Sequence, residues 1–159
     1  MPEPLRDRVL DAMVAVAAGL SDLRPWGGAY PNPPTADREY RELTSRTQFP
    51  HCSILEGAGS TVAAKTSRAN VIGYRHEFKV LLVGAVSAGQ GLTLSRWLER
   101  YWDDLWTTFL QNYTLGGLAQ GVQFDGELQP DTLLTGTTAE FVQPCTVFMN
   151  EDKEVAING

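Results

Sequence analysis

The chain has 159 residues and a formal net charge of -6, with 13 Lys and Arg against 19 Asp and Glu. This acidic balance disfavours a protein that grips phosphate backbones, and 43% hydrophobic with 20% charged residues exclude a disordered or collagen-like chain. A chain of this length can bury one sizeable core, so we expect a single domain over residues 1–149 and a polar tail over 150–159.

Neither a membrane span nor a disulfide-rich scaffold is predicted. No apolar run approaches the roughly 18 residues that a span requires. The apolar stretch near the start imitates a short signal peptide, but Asp7 and Asp11 interrupt it. Two distant cysteines, Cys52 and Cys145, are too few for a four-cysteine zinc site. A soluble protein of a reducing compartment is the simpler interpretation.

The first predicted elements are a helix and a long connection. Apolar residues recur at helical spacing from Leu5 to Leu20, and Gly19 and Ser21 mark the helix end. Residues 24–48 contain four prolines, so no regular element can pass through the first half of this segment. Connections of this length are unusual inside compact domains, which favours a functional loop or a short helical or extended arm.

Two strands are predicted next. A short one follows Pro50, and a longer one begins near Tyr74 with alternating apolar and charged side chains. Both faces of the longer strand become apolar at Leu81 and Val83, which predicts that it ends in the centre of a sheet. Between the strands, residues 57–73 are rich in Gly, Ala, Ser and Thr, and they are interpreted as an extended mobile loop or a hairpin tip.

The second helix, from Leu94 onward, shows the clearest pattern. Its broad apolar stripe includes Trp97, Trp102 and Trp106, which favours packing on a sheet and partial contact with another subunit. The opposite face is predicted to be solvated and comprises Arg96, Glu99, Arg100, Asp103, Asp104 and Thr107.

Two further strands complete the pattern, one around Val122 and Phe124 and a last one from Phe141 to Met149. Pro144 in the last strand favours an edge position or a bulge. The order α-β-β-α-β-β predicts an α+β fold, with a mostly antiparallel sheet of about four main strands packed by two helices.

Three patterns that could carry chemistry are weak. The segment 59–66 ends in Lys-Thr like a phosphate-binding loop, but Ala64 replaces the glycine before the lysine. The two cysteines with His51 and His76 lack chelating spacing, so they are interpreted as core residues. The acidic pairs on the second helix lie beside arginines on a face expected to be wet. We therefore predict no catalytic residues, no cofactor and no metal.

The order of elements resembles the tail terminator and tail-completion proteins of long-tailed bacteriophages. The features that carry the resemblance are the opening helix, the strand introduced by Phe49-Pro50, the long strand from Tyr74 and the sequence Thr114-Leu115-Gly116-Gly117-Leu118 after the aromatic helix. The resemblance implies a non-enzymatic virion protein, assembled in the host cytoplasm. It would form a homo-oligomeric ring, commonly of six subunits, that caps the tail tube and joins it to the head connector.

The charge distribution agrees with a head-to-tail ring. Residues 1–80 sum to +1 and residues 81–159 to -7, so the two parts offer complementary sides. An acidic lumen would let DNA pass without specific binding. Candidate lumen or interface acids are Glu99, Asp103, Asp104, Asp125 and Glu127.

Two segments are the candidate contact regions of such a ring. Contact with the tail tube or a neighbouring subunit is predicted for Lys65, Thr66, Arg68 and Asn70. Contact with a neighbour or the connector is predicted for Pro31, Pro34, Arg38, Arg41 and Arg46.

Other functions stay open at this point. Within the same class, the chain could be a head-closure or stopper protein, or a tail tube component. Outside it, the alternatives are a small α+β ligand-binding domain with a pocket lined by Trp97, Tyr101 and Trp102, and a Cys/His enzyme.

Overall fold

The fold is α+β, with both helices on one sheet. The computed structural model describes residues 4–20, 30, 32–40, 49–63, 70–87, 93–126, 129–130 and 138–154. The helices are α1 (Leu5–Ala18) and α2 (Leu94–Gln111), and the strands are β1 (Thr35–Asp37), β2 (His51–Ala63), β3 (Val71–Ser87), β4 (Gly121–Phe124), β5 (Gln129–Pro130) and β6 (Thr138–Glu154). The predicted α+β class and single domain are confirmed, whereas the element order gains the short strands β1 and β5.

The sheet has the order β1-β2-β3-β6-β4, and β5 also pairs with β6. Every pairing is antiparallel except that of β1 with β2. The central pair is β3 with β6, which align over their whole length, from Val71 opposite Glu154 to Ser87 opposite Thr138. In β3, Phe78 and Val80 are buried and Lys79 is exposed, as the alternation predicts.

Pro144 lies in an interior strand, not an edge strand. It sits in β6 opposite Leu81 of β3, and it falls between the β6 residues that pair with β4 and those that pair with β5. Its carbonyl accepts a hydrogen bond from the backbone N–H of Asp125 at 2.8 Å. Pro144 therefore lies where neither β4 nor β5 pairs with β6, so an interior strand can accommodate it.

Strands β2 and β3 form a long hairpin that includes most of the predicted loop over 57–73. Residues 57–63 belong to β2 and 71–73 to β3, so a mobile loop is wrong for them and the hairpin alternative fits. A register shift lies between Glu56 and Gly59. Residues 57–63 are mostly small and have little strand propensity of their own, so the sequence did not predict a strand there. They form one because they pair with β3.

The predicted loose tail is also corrected in part. Residues 150–154 continue β6, where Glu151 stands opposite Tyr74 and Glu154 opposite Val71. Their polarity reflects a solvent-facing end of the sheet, since Lys153 and Glu154 are exposed. The remainder, 155–159, lies outside the described residues.

Both helices pack on the same face of the sheet and contact each other. Helix α1 buries Val9, Leu10, Met13 and Ala17. Helix α2 begins after Thr93, whose hydroxyl accepts a hydrogen bond from the backbone N–H of Arg96. The Tyr101 ring of α2 lies 5.9 Å from the Phe141 ring of β6. The space between helix and sheet is thus filled by core side chains.

Gly84 in β3 provides the room for Phe141. A Cβ at Gly84 would lie 2.2 Å from the Phe141 ring, and Phe141 is fully buried. We predict that Gly84→Ala lowers the free energy of unfolding by about 1–3 kcal/mol, because overpacking a filled core forces strained side chains. Urea denaturation measures this loss. In a Phe141→Leu background the same substitution should cost less, and an equal cost in both backgrounds would contradict the steric explanation.

Candidate contact surfaces

The polar face predicted for α2 is partly buried. Arg100 and Asp104 are each 1% exposed, and the Arg100 Nε lies 3.8 Å from the Asp104 Oδ2. The Tyr30 hydroxyl donates a hydrogen bond to Asp104, and the Arg100 guanidinium lies 4.5 Å from the centre of the Tyr30 ring. Burial raises the pKa of Tyr30, as do its hydrogen bond and proximity to Asp104. Asp104 therefore cannot face a lumen, and its assignment as a lumen acid is wrong.

Sequence periodicity could not reveal this buried cluster. The spacing of Arg100 and Asp104 at i, i+4 is visible in the sequence and is equally common on exposed helices. Their burial depends on Tyr30, which comes from the proline-rich segment far away in the chain. The Arg100 guanidinium also lies 5.2 Å from the centre of the Trp97 ring, so an aromatic partner one turn earlier was the only local signal.

The proline-rich segment is tied to the body of the domain at its described positions. Arg38 contacts three carboxylates, with nitrogen to oxygen distances of 3.1 Å to Asp7, 3.4 Å to Asp11 and 2.9 Å to Glu56. Pro34 is buried next to β1, which pairs with β2. Pro34 is buried, so the prediction that it contacts a neighbour or the connector is wrong. The Arg38 side chain keeps 33% exposure beside its intrachain ion pairs, so its contact with a neighbour or the connector stays a prediction.

Other predicted contact residues lie outside the described part. These are Pro31, Arg41, Arg46, Lys65, Thr66, Arg68 and the acid Glu127. Asn70 is exposed directly before β3 and adopts a left-handed backbone with φ 67°. The structure thus supports an accessible position for Asn70 and leaves the others as sequence predictions.

The remaining candidate acids differ in their surroundings. Glu99 is exposed on α2 and Asp103 is half-buried beside it. Asp125 follows β4, accepts a hydrogen bond from the Thr146 hydroxyl and lies 3.5 Å from the Lys79 Nζ. Glu99 and Asp103 lie on the same side of α2. Asp125 directly follows β4, the last strand in the order of the sheet.

A cleft of about 460 Å³ opens beside the first turn of α1. His76 lies on its wall, where its Nδ1 is 2.9 Å from the Thr61 hydroxyl and its Nε2 is 3.1 Å from Glu151. The His76 side chain is 20% exposed, so it is hydrogen-bonded as expected but lies at a surface and not in the core. The lining also carries charges of both signs, from Arg6 and Lys153 and from Glu77 and Glu151.

The cysteines are buried thiols. Cys52 and Cys145 are both fully buried and unpaired with each other. Burial raises the pKa of the Cys52 thiol to about 12 and also raises the pKa of Cys145. A thiol held protonated at neutral pH is a poor nucleophile. Over the described residues, no three His, Cys, Asp or Glu side chains are grouped to hold a metal ion.

The two outer strands leave different surfaces open. β1 covers only His51, Cys52 and Ser53 of β2, so from Ile54 onward no described strand pairs with the outer edge of β2. Val62, in this uncovered part, is 62% exposed. A strand edge of this length with an exposed apolar residue is a surface that commonly pairs with another chain.

The opposite edge of the sheet carries an apolar groove. Between α2 and β4 lies a cavity of about 200 Å³ whose lining includes Trp106, Leu110 and Phe124. Trp106 is 40% exposed and Leu110 is 56% exposed, and Tyr113 just beyond the helix is also exposed. We call this surface the α2–β4 groove. The predicted involvement of the aromatic helix face in a contact therefore concerns the second half of α2, since Trp97 and Tyr101 are buried in the core.

Two comparisons with known proteins found no match for this chain. No protein-family model matches it, and no curated protein matches it. Among the described helices, none is long and apolar enough to cross a membrane.

The buried cluster gives a stability prediction. Asp104→Asn leaves the Arg100 charge without its carboxylate in a buried site, so we expect the free energy of unfolding to fall by about 3 kcal/mol. Asp103→Asn is the matched control on the same helix and should cost less than about 1 kcal/mol. Chemical denaturation of both variants measures the difference, and equal losses would contradict the role of the cluster.

The burial of the thiols gives a second prediction. A thiol-specific reagent at pH 8 should label neither Cys52 nor Cys145 in the folded protein, and should label both in concentrated urea. The labelling rate should follow the fraction unfolded, because both sulfur atoms become accessible only on opening of the core. Rapid stoichiometric labelling of the folded protein would show an accessible, reactive cysteine and would favour the Cys/His enzyme.

Proposed function

We propose that this chain is a tail terminator of a long-tailed bacteriophage. In this proposal it forms a ring that caps the tail tube and joins it to the head connector, with DNA passing through the lumen. The observation that carries the proposal is the pair of unlike open surfaces at opposite edges of one sheet. Unlike surfaces on opposite sides associate head-to-tail, and such contacts close into rings when the rotation between subunits allows it.

The charge pattern supports a ring that DNA can cross. The sequence from residue 101 to 152 contains no Lys or Arg, while Glu99 and Asp103 lie on the accessible side of α2. Binding to a phosphate backbone requires cations that displace condensed counterions. A lumen lined from this part of the chain would repel DNA weakly and let it slide.

The proposed role is architectural, with no catalytic step, no cofactor and no membrane. The proposed partners are further copies of the chain, six in a ring as the resemblance implies, together with the tail tube protein and the connector or stopper protein. The protein would be assembled in the host cytoplasm and reside in the neck of the virion. Lys65, Thr66, Arg68 and Asn70 remain proposed contacts to the tube or a neighbour.

The second candidate is a small ligand-binding domain, and the 460 Å³ cleft beside α1 favours it. Its lining differs from the pocket predicted from sequence, since Trp97 and Tyr101 are core residues and His76, Arg6 and Glu151 form the walls instead. A mixed polar and apolar cleft of this size is typical of small-molecule sites. Within the phage class, a stopper or tube protein is the nearest alternative.

Electron microscopy of the purified protein tests the proposal. Negative-stain class averages of concentrated protein should show hollow rings with uniform symmetry, and native mass spectrometry should give the matching subunit count. Duplex DNA should show no retention by these particles at physiological salt.

A strictly monomeric protein at all accessible concentrations would contradict the terminator proposal. If that monomer bound a small dye, and if His76→Ala and Arg6→Ala weakened the binding, the ligand-binding domain would be favoured. Rings that stack into long tubes without tail tube protein would favour a tube component.

A further inference from the structure

We propose that helix α2 carries a binding site for a phenol, which Tyr30 of the same chain fills. The site is formed by Trp97, Arg100, Tyr101 and Asp104, and we call it the phenol slot. Its ligand class is a para-substituted phenol, which is the chemistry of a tyrosine side chain. The inference concerns a single chain, so it goes beyond the proposed ring and holds whether or not rings form.

The walls of the phenol slot contact an aromatic ring from several sides. The Tyr30 ring lies 5.9 Å from the Trp97 ring at an interplanar angle of 34°, and it meets the Tyr101 ring edge-on at 6.1 Å and 80°. The Arg100 guanidinium lies 4.5 Å from the centre of the Tyr30 ring. Aromatic pairs and a cation over a ring stabilise a flat aromatic group beyond the gain from burying its area.

The slot also provides an acceptor for the hydroxyl of the ring. The Tyr30 hydroxyl donates a hydrogen bond to Asp104, whose side chain is 1% exposed. Burial and the neighbouring Asp104 both raise the pKa of Tyr30, so the phenol stays protonated and can donate. Hydrogen bonds to a carboxylate are among the stronger ones in proteins. A site built around such a bond selects against a ring that lacks the hydroxyl.

Filling the core does not require the buried ion pair of Arg100 and Asp104. Apolar residues of similar volume in place of such a pair often leave stability unchanged or raise it. Selection of a phenol over a plain apolar side chain does require the pair. The fit is close, because a cavity of only about 10 Å³ remains beside Tyr30. Tyr30 lies 74 residues before Asp104, so it acts as a ligand that the chain itself delivers to the slot.

Chemical rescue tests the phenol slot. Tyr30→Ala should leave a cavity with the shape of the lost ring, because packed surroundings relax only in part after truncation. Adding p-cresol should raise the Tm of this variant, since a ligand that binds only the folded state stabilises it by mass action. Titration calorimetry should give p-cresol a Kd at least about tenfold lower than that of toluene, which has the same shape without the hydroxyl.

Two controls separate slot binding from a general effect of p-cresol. The unmodified protein should show no rise in Tm, because Tyr30 already fills the slot. The matched variant is Tyr40→Ala, which removes a tyrosine from the same proline-rich segment. The Tyr40 hydroxyl also donates to a carboxylate, that of Glu140 at 3.1 Å, but Tyr40 is 55% exposed. Its removal leaves no enclosed cavity, so p-cresol should not raise the Tm of this variant.

Equal Kd values for p-cresol and toluene would reduce the slot to an apolar cavity and overturn the inference. A folded Tyr30→Ala variant that binds no p-cresol would overturn it as well. If Tyr30→Ala folds neither alone nor with p-cresol, a cycle of Tyr30→Phe, Asp104→Ala and the double variant decides. The double variant should lose less in urea midpoint than the two single losses combined, because both changes remove the same hydrogen bond. Additive losses would overturn the inference, and none of these results bears on ring formation.

Discussion

The pairing of β3 with β6 is the constraint on which the rest of the structure depends. These two strands align without a break over their whole length, and each also pairs with other strands on its far side. A slip by one residue would turn Phe78, Val80 and Phe141 from the helix side to the opposite side. Gly84 enforces the register locally, since only a residue without a side chain can stand beside the buried Phe141 ring. The positions of both helices, the hairpin and the groove follow from this register.

Polar contacts then fix the proline-rich segment to this framework. Tyr30 donates a hydrogen bond to the buried Asp104, which pairs with Arg100. Arg38 joins α1 to β2 through three carboxylates. The two contacts differ in kind, because the first is buried and the second lies near the surface where solvent weakens ion pairs. A segment that would be a free arm on composition alone thus becomes part of the domain at its described positions. Pro34 is therefore no longer a candidate contact, and the open edges of the sheet are accessible candidates.

Sequence patterns predicted the elements whose burial is periodic and missed those that depend on distant partners. The apolar stripe of α2 and the alternation in β3 are patterns within a single element, so local spacing was enough to predict the helix and the strand. β1 has three residues and β5 two, which is too short for any period, and both exist because a longer strand offers them an edge. The outer part of β2 lacked a signal because its small residues are held by β3. Arg100 and Asp104 were misplaced for the same reason, since Tyr30 makes their burial possible.

The sequence predicted the candidate contact surfaces only in part. The aromatic excess of α2 indicated a contact, but periodicity could not separate Trp97, which is buried, from Trp106, which is exposed at an open strand. The uneven charge was measurable from the start, but a sum over sequence does not locate it: Lys65 and Arg68 lie outside the described residues, and Asp125 lies 3.5 Å from the Lys79 Nζ.

The central ladder also has a consequence for how the chain is made. β6 leaves the ribosome after β2 and β3, which can already pair as a local hairpin. Until β6 arrives, the hairpin presents the full inner edge of β3, with Phe78, Val80 and Leu82 uncovered. Non-local pairing of this kind folds slowly, and an open apolar edge invites pairing with other nascent chains. The yield of folded protein should therefore depend on synthesis rate and temperature more steeply than its final stability would suggest.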